Sequence, residues 1–402
     1  MAPIVVAGAG IGGLSAALAL AQKGFEVHVY ERATEIREIG AGIQLGPNAF
    51  EAFAHLGVSE AMEAIAFEPR SISLIDSITG AQICRQNLGQ SFVRRFGQPY
   101  RVAYRADVQR VLLDAVRQQP LVRIHLGDGI RAFSQDQREL IVSTDRRIAQ
   151  GAQALIGADG LWSEIRQAIL ADGRPTPQGH VAYRAVLRSN EISDTLVTDE
   201  VQIWVGPGHH LVCYKLRRGE LFNVVAIVQS SQYREGWDSE PDIEELHSGF
   251  ADACGHVGQI LEHLQLSRMW VLCDRPASRG WSQGAVTLLG DAAHPALPYL
   301  AQGACMAIED AVCLAERFSQ QPLDLAGACR EYEQSRFERT RRVQEAAREM
   351  GRINHASGEA REARNRALSA RDPDDHESSA WLFDGPKAAG GRHNQSFFGP
   401  LR

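Results

Sequence analysis

The chain has 402 residues, 44% of them hydrophobic and 23% charged, with a formal net charge of −7; that is enough for a large core and two closely joined domains. The acidic balance argues against nucleic acid as the main partner, because phosphate backbones call for a basic face. Seven cysteines, odd in number, mostly among apolar neighbours and without a CxxC pair, argue against a disulfide framework or a zinc site and suit free thiols in a reducing cytoplasm. Met1 to Gln22 carries no charged side chain and has the length of a membrane span. It lacks a basic flank, and Gly8, Gly10, Gly12 and Gly13 interrupt it, so neither a targeting segment nor a span is expected. The better reading is a buried strand, Ile4 to Ala7, a glycine turn, and a helix from Ile11. A second strand, Glu26 to Tyr30, ends at Glu31, 23 residues after Gly8.

Gly8-x-Gly10-x-x-Gly13 between strand and helix has the spacing of a dinucleotide-binding unit. Gly8 allows the tight turn, Gly10 lets backbone approach a pyrophosphate, and Gly13 lets helix and strand pack closely. The helix N-terminus offers N–H groups and a positive dipole to phosphate, and an acid at Glu31 can accept a ribose hydroxyl. NAD and FAD both satisfy this unit. Further on, "ALIGADGLWSEIR" (154–166) is another strand ending in a tight turn, Asp159-Gly160, before a helix. Residues 178 to 274 change character: "HVAYRAVLR", "VQIWVG", "HHLVCYKL", "LFNVVAIV" and "RMWVLCD" are short strands that read as one antiparallel sheet, with Gly219 near a hairpin tip. In "HHLVCYKL" the period of two puts His210, Val212 and Tyr214 on one face and His209 on the other. Four residues of strand span about 13 Å, so His210 and Tyr214 reach opposite sides of one flat ring.

"LLGDAAHPALPYLAQGACMAIEDAVCLAERF" (288–318) comes about 280 residues after the first glycine turn. The strand Val286 to Leu289 stops at Gly290-Asp291, a turn with a His and two prolines follows, and a helix starts at Gly303-Ala304. Leu323 to Ala370 is helical and dense in Arg and Glu. Its interleaved charges favour a solvated face or a subunit contact, as in a homodimer, over a nucleic-acid arm. Asp372 to Arg402 is expected to wrap loosely or fray. Three glycine-flanked strand ends imply a long ligand crossing several strands. FAD has that length, with its ADP half at the first turn and its ribityl–flavin half near Asp291.

At these residues the chain resembles the single-component FAD-dependent aromatic hydroxylases related to p-hydroxybenzoate hydroxylase. The pieces are GAGIGG with Glu31-Arg32, the GADG turn at 157–160 and GDAAHP at 290–295, in matching order over roughly residues 3 to 385. Within that family it looks closest to the 3-hydroxybenzoate 6-hydroxylases, through "GAGIQLGPN" (40–48), "HLVCYKLRRGELFN" (210–223) and "MAIEDA" (306–311). The resemblance implies an α/β fold: a Rossmann-like FAD-binding domain (1–70, 98–177 and 275–340) interrupted by an antiparallel-sheet substrate domain (71–97 and 178–274), with a C-terminal helical segment and tail (341–402). It implies FAD contacts from Gly8, Gly10, Ile11, Gly12, Gly13, Glu31, Arg32, Gly42, Arg105, Asp159 and Asp291. The helix at Gly303 and Ala304 would then aim its N-terminus at the flavin's N1–C2 carbonyl edge, where reduced flavin is anionic. For Arg105 a solvated helix-start arginine stands as the alternative. The reductant would be NADH or NADPH, NADH favoured, and O₂ the oxidant; the resemblance implies no separate Rossmann domain for the nicotinamide, and no second GxGxxG occurs.

The same resemblance gives His210 the role of base toward a substrate phenol and Tyr214 that of its hydrogen-bonding partner. Asp76 aligns with a pocket residue, though a turn-capping aspartate is the alternative. Relatives carry Gln where this chain has Pro298, which lacks both an amide side chain and an N–H; Tyr299 or Gln302 is the candidate replacement for a substrate contact. The implied reaction is para-hydroxylation of a phenolic aromatic acid, 3-hydroxybenzoate to 2,5-dihydroxybenzoate (gentisate), with decarboxylative or ring hydroxylation of salicylate or 6-hydroxynicotinate as the runner-up. A plain NAD-dependent dehydrogenase would leave residues 290–318 without a role, and a flavoprotein without turnover would not need His210 and Tyr214.

Overall fold

In the computed structural model, which describes residues 2–36, 41–136, 139–146, 149–231, 241–264 and 268–385, strand Ile4–Ala7 runs through the middle of a six-stranded sheet. Ile4, Val5 and Val6 are fully buried, as expected of a parallel strand covered on both faces, and each contributes about 1.5–3 kcal/mol by leaving water. Val27–Glu31 and then Val122–Leu126 lie parallel on one side, Ala154–Gly157 and then Val286–Leu288 on the other. In chain order these strands stand 3-2-1-4-5, a doubly wound arrangement whose ligand crevice opens beyond the strand ends where the order reverses. The glycine turns at Gly8, Asp159-Gly160 and Gly290-Asp291 all follow strands at this edge. Helices Ile11–Gln22 and Gly303–Gln320 start there and pack against each other over the sheet.

The second sheet is larger than the segment 178–274 and is mixed rather than purely antiparallel. Among the described residues its order is Met269–Asp274, Thr176–Arg188, Leu221–Gln229, His209–Leu216, Val201–Gly206, Ser71–Asp76, Gln82–Asn87. Neighbours are antiparallel except Val201–Gly206, which runs parallel to Ser71–Asp76. Alternation within a strand tells which face is buried, not which way the neighbour runs. One face, with Tyr183, Leu211, Cys213 and Val224, packs on helices Ile243–Gly249 and Gly255–Glu262. The other face looks back toward the strand ends of the first sheet.

The C-terminal segment corrects two expectations. Helix Leu325–Asn354 is charged, but not evenly solvated. Arg341 pairs with Glu338 and Glu345 on the surface, whereas Arg336 is 1% exposed and bonds Asp310 at 2.6 Å and Glu309 at 2.7 Å. Arg339 grips both oxygens of Glu309. The countercharges come from "MAIEDA" on another helix, so spacing along one helix could not reveal them. Nor does the tail simply fray. After helix Gly358–Ser369, helix Glu377–Phe383 buries Leu382 and Phe383 against Phe92, Phe96 and Tyr100; residues 386–402 lie outside the described ones. The seven cysteines are free, and no described helix is long and apolar enough to cross a membrane.

Candidate active site

A cavity of about 900 Å³ lies between the two sheets and takes in both the nucleotide crevice and the inner face of the second sheet. The four glycines of the first turn divide their work. A Cβ on Gly8 would meet Ala158 O at 2.4 Å, and one on Gly13 would meet Gly8 O at 2.0 Å, so both positions serve backbone packing. Gly12 is closed off by Leu289, and Ile11 is buried as the first helical residue. Gly10 has open space within 4 Å and lines the cavity, which is where a phosphate group would need backbone access. Glu31 also lines it, with Oε2 accepting from Ala9 N at 2.8 Å and Oε1 from Ala33 N at 2.9 Å. The backbone thus pins the carboxylate while each oxygen keeps a lone pair for a ribose hydroxyl. Arg32 stands beside it on the cavity wall. Glu31→Ala is expected to weaken FAD binding by about 1.5–3 kcal/mol, the worth of a hydrogen bond to a charged group. Flavin titration of the apoprotein checks this, and unchanged affinity would reject the assignment.

Farther along the cavity, Gly42, Arg105, Asp291, Gly303 and Ala304 meet. Gly42 N donates to Asn223 at 2.7 Å, and a Cβ there would strike the Tyr214 hydroxyl at 2.6 Å, so the second sheet presses directly on the start of strand Gly42–Leu45. Asp291 is exposed to the cavity rather than to bulk solvent. Enclosure by the protein raises its carboxyl above the usual range, against the pull of Arg105 and His294. Its turn is held from below, because Asp310 accepts from Gly290 N at 3.1 Å and contacts His294 at 2.6 Å. A Cβ on Gly303 would lie 3.7 Å from Asp291 Oδ1, so the carboxylate sits at the N-terminus of helix Gly303–Gln320, where N–H groups face the cavity. Asp159 lies outside the cavity wall. Its Oδ2 accepts from Glu164 N at 2.9 Å, capping the next helix, and burial raises its pKa. Its Oδ1 is buried with no hydrogen-bond partner among the described residues. An open glycine, a pinned acid and a cavity-facing aspartate, spread over three strand ends, suit a ligand as long as FAD.

On the second sheet the expected face is the cavity face. His210, Val212 and Tyr214 line the cavity, while His209 bonds Ser77 on the far side at 2.7 Å. His210 is 2% exposed, and burial, with His180 and His209 nearby, pushes its imidazole down to about 3. Burial raises the Tyr214 phenol, against the opposing field of Arg184. Tyr299 closes over His210, ring centroids 5.4 Å apart; its hydroxyl oxygen is buried with no partner among the described residues.

Two predicted pocket residues are elsewhere. Gln302 is 2% exposed and accepts from Asn48 at 3.0 Å, drawn under the helix by the Asn48–Glu309 pair. Asp76 takes its turn-capping alternative and more: it accepts from the amides of Ile78 and Thr79, and holds Arg361 and Asn365 of helix Gly358–Ser369. Burial opposes its charge, yet these donors keep its pKa well below the usual range. Sequence reasoning missed Arg184, whose guanidinium lines the cavity 5.3 Å from the Trp270 ring centroid. Period two on "HVAYRAVLR" would have placed it on the same face as the register partners Val225 and Val212. It also missed His355, whose Nε2 lies 2.6 Å from His210 Nδ1; no local pattern announces that contact.

Residues 1–349 match the protein-family model described as an FAD binding domain. A 3-hydroxybenzoate 6-hydroxylase of Polaromonas naphthalenivorans is 42% identical over 382 residues, 95% of each chain. The 3-hydroxybenzoate 6-hydroxylase of Klebsiella oxytoca is 39% identical over 90% of this chain and 91% of its own. Among solved structures, Klebsiella pneumoniae HpxO complexed with FAD and uric acid is similar at a TM-score of 0.84 and 29% identity, covering 96% of this chain and 98% of that one.

Proposed function

Since the chain belongs to the FAD-binding-domain family of flavin-dependent aromatic monooxygenases, we propose that it hydroxylates 3-hydroxybenzoate para to the phenol, giving 2,5-dihydroxybenzoate (gentisate), with NADH as reductant. Gly10, Glu31 and Arg32 hold the ADP half of FAD, and Gly42, Arg105, Asp291, Gly303 and Ala304 the ribityl–flavin half. When bound, FAD supplies the acceptor for hydride from the nicotinamide and the centre that activates O₂. Residues 71–97 and 178–274 form the substrate domain over it.

One observation carries the substrate: a neutral imidazole and a guanidinium share one cavity face. His210 and Arg184 stand on strands separated by a single strand, about 9.6 Å apart across the sheet, and two residues apart along it. A ring bearing a phenol and a carboxylate on different sides meets both. The phenol proton passes to His210 Nε2, and the released electron density activates the carbons ortho and para to the oxygen. Arg184 holds the carboxylate, and the Tyr299 hydroxyl stands in for the amide that Pro298 replaces. Salicylate, with both groups adjacent on the ring, reaches His210 and Arg184 together less well. Pro298 keeps decarboxylative hydroxylation of salicylate or 6-hydroxynicotinate as the second reading.

Incubation with each acid, NADH and O₂, followed by chromatography and CO₂ collection, separates them. Gentisate from 3-hydroxybenzoate is expected. Catechol with stoichiometric CO₂ from salicylate, and no dihydroxybenzoate from 3-hydroxybenzoate, would overturn the substrate while leaving the flavin chemistry standing. Arg184→Met is expected to raise KM for the acid roughly 10–100-fold, from about 1.5–3 kcal/mol for a charged hydrogen bond; an unchanged KM would show that the carboxylate lies elsewhere.

A further inference from the structure

The Tyr214 hydroxyl ends against strand Gly42–Leu45. Gly42 and Gln44 share one face of that strand by the period of two, and both line the cavity. The hydroxyl lies 2.6 Å from where a Gly42 Cβ would stand. Asn223, the register partner of Tyr214, accepts from Gly42 N at 2.7 Å. Gln44 is two residues farther along the same face, roughly 6.8 Å, within reach of that hydroxyl. Burial raises the Tyr214 phenol, while Arg184 and a hydrogen bond with the Gln44 side chain pull the other way.

The Gln44 amide has a fixed sense. Tyr100 donates its hydroxyl proton to Gln44 Oε1 at 2.7 Å. Tyr100 is 4% exposed, and its ring is held edge-on by Phe383 of the C-terminal helix, centroids 5.9 Å apart. Strand Arg101–Tyr104, which follows it, pairs antiparallel with Gly42–Leu45, so backbone also fixes the two residues relative to each other. Burial, with Cys305 and Tyr214 nearby, raises the Tyr100 phenol well above its usual value, so it stays protonated and needs an acceptor. The Gln44 oxygen is that acceptor, which leaves the Gln44 Nε2 protons for Tyr214. A phenol oxygen that accepts an N–H keeps its own proton for another partner. Arg184 stands two residues from the Tyr214 row, on the side toward His210. The free proton and the guanidinium thus face one end of the cavity, and the imidazole the other.

We propose that Gln44 and Tyr100 are positioning residues that make the Tyr214 hydroxyl a donor toward the substrate's carboxylate, beside Arg184. This rests on the phenolic-acid reading above and deepens it. A carboxylate only accepts hydrogen bonds, so both of its oxygens are satisfied by an O–H and a guanidinium that only donate. A carboxamide of the same shape turns one N–H group toward a donor and is left with an unpaired contact. The chain Tyr100–Gln44–Tyr214 therefore selects for the acid, and it does so through the direction of one proton. Without the Tyr100 hydroxyl the Gln44 amide is free to turn over. Its oxygen then takes the Tyr214 proton, and the Tyr214 oxygen meets the substrate as an acceptor.

The test is binding of 3-hydroxybenzoate and of its uncharged analogue 3-hydroxybenzamide, each titrated into the holoenzyme and followed by the change in flavin absorbance. The wild type should prefer the acid. In Tyr100→Phe the Kd of the acid should rise roughly 3–10-fold, the worth of one net hydrogen bond. The Kd of the carboxamide should rise less, so that the preference shrinks; a merely structural role would weaken both ligands alike. In a Tyr214→Phe background the same change should cost nothing, because residues that act through one group are not additive. Gln44→Met keeps the side-chain length, removes the amide and should shrink the preference in the same way. An unchanged preference in Gln44→Met would overturn the proposal even if Tyr100→Phe failed to fold. A Tyr100→Phe loss of equal size with and without the Tyr214 hydroxyl would also overturn it, while leaving the phenolic-acid reading standing. A wild type that binds the carboxamide as tightly as the acid would overturn the carboxylate reading and the proposal together.

Discussion

His210→Ala is expected to keep its flavin and lose roughly 10²–10⁴-fold in hydroxylation, the range for removal of a general base. The residue lines the cavity on the second sheet, away from the glycine turn, Glu31 and Asp291, so the nucleotide crevice should survive its loss. Without a base the phenol stays protonated and its ring is a poorer nucleophile, so reducing equivalents should escape to oxygen as hydrogen peroxide. The readout is product formed per NADH consumed; wild-type yield in the variant would assign His210 to packing alone. The pH profile carries a second expectation. Because burial holds the imidazole down to about 3, it is neutral above that pH, and no fall in activity near 6.5 should be traced to His210.

The largest stability effect is expected from Arg336→Ala. Arg336, Arg339, His294, Glu309 and Asp310 form a buried network beneath the turn that carries Asp291. Removing one partner of a buried pair leaves an uncompensated charge and costs about 3–5 kcal/mol. Denaturant unfolding followed by circular dichroism measures it, and an unchanged midpoint would show that Arg339 and His294 suffice. Burial raises the Glu309 carboxyl, but Arg339 and Arg336 win and bring it to about 2. A folded pKa below the unfolded value near 4.3 means the unfolded state binds more protons in between. This stabilisation is complete above about pH 4.3 and is lost as pH falls toward 2. In Arg336→Ala the acid limb should move upward in pH. Flavin affinity should fall with it, since Asp310 also holds Gly290 N.

What was legible in the chain was local. The turn from Ile4 to Gly13 could be read because strand, glycines and helix lie within one short stretch, where Gly8 and Gly13 meet backbone and Gly10 leaves space. The strand "HHLVCYKL" could be read because a period of two sorts its faces without knowledge of the neighbours. Gln302, and Asp76 beyond its turn-capping alternative, could not be placed for the opposite reason: an amide or a carboxylate in a turn goes to whichever partner folding brings near. Those partners were Asn48, 254 residues away, and Arg361, 285 away.

The sequence by itself therefore determined the strand, glycine turn and helix of the nucleotide crevice, the acid at Glu31 and the cavity face of His210 and Tyr214, and it called for a long dinucleotide. These follow from backbone geometry and periodicity, which act over a few residues. Only the tertiary structure decided that Val201–Gly206 runs parallel to Ser71–Asp76, that Arg336 is buried on an acidic pair instead of solvated, and that His355, 145 residues from His210, completes its surroundings. A charged or titratable side chain carries no local mark of its partner. Its environment is set by packing elements far apart in the chain, and with it whether it is a surface charge, a buried anchor or part of a cavity wall.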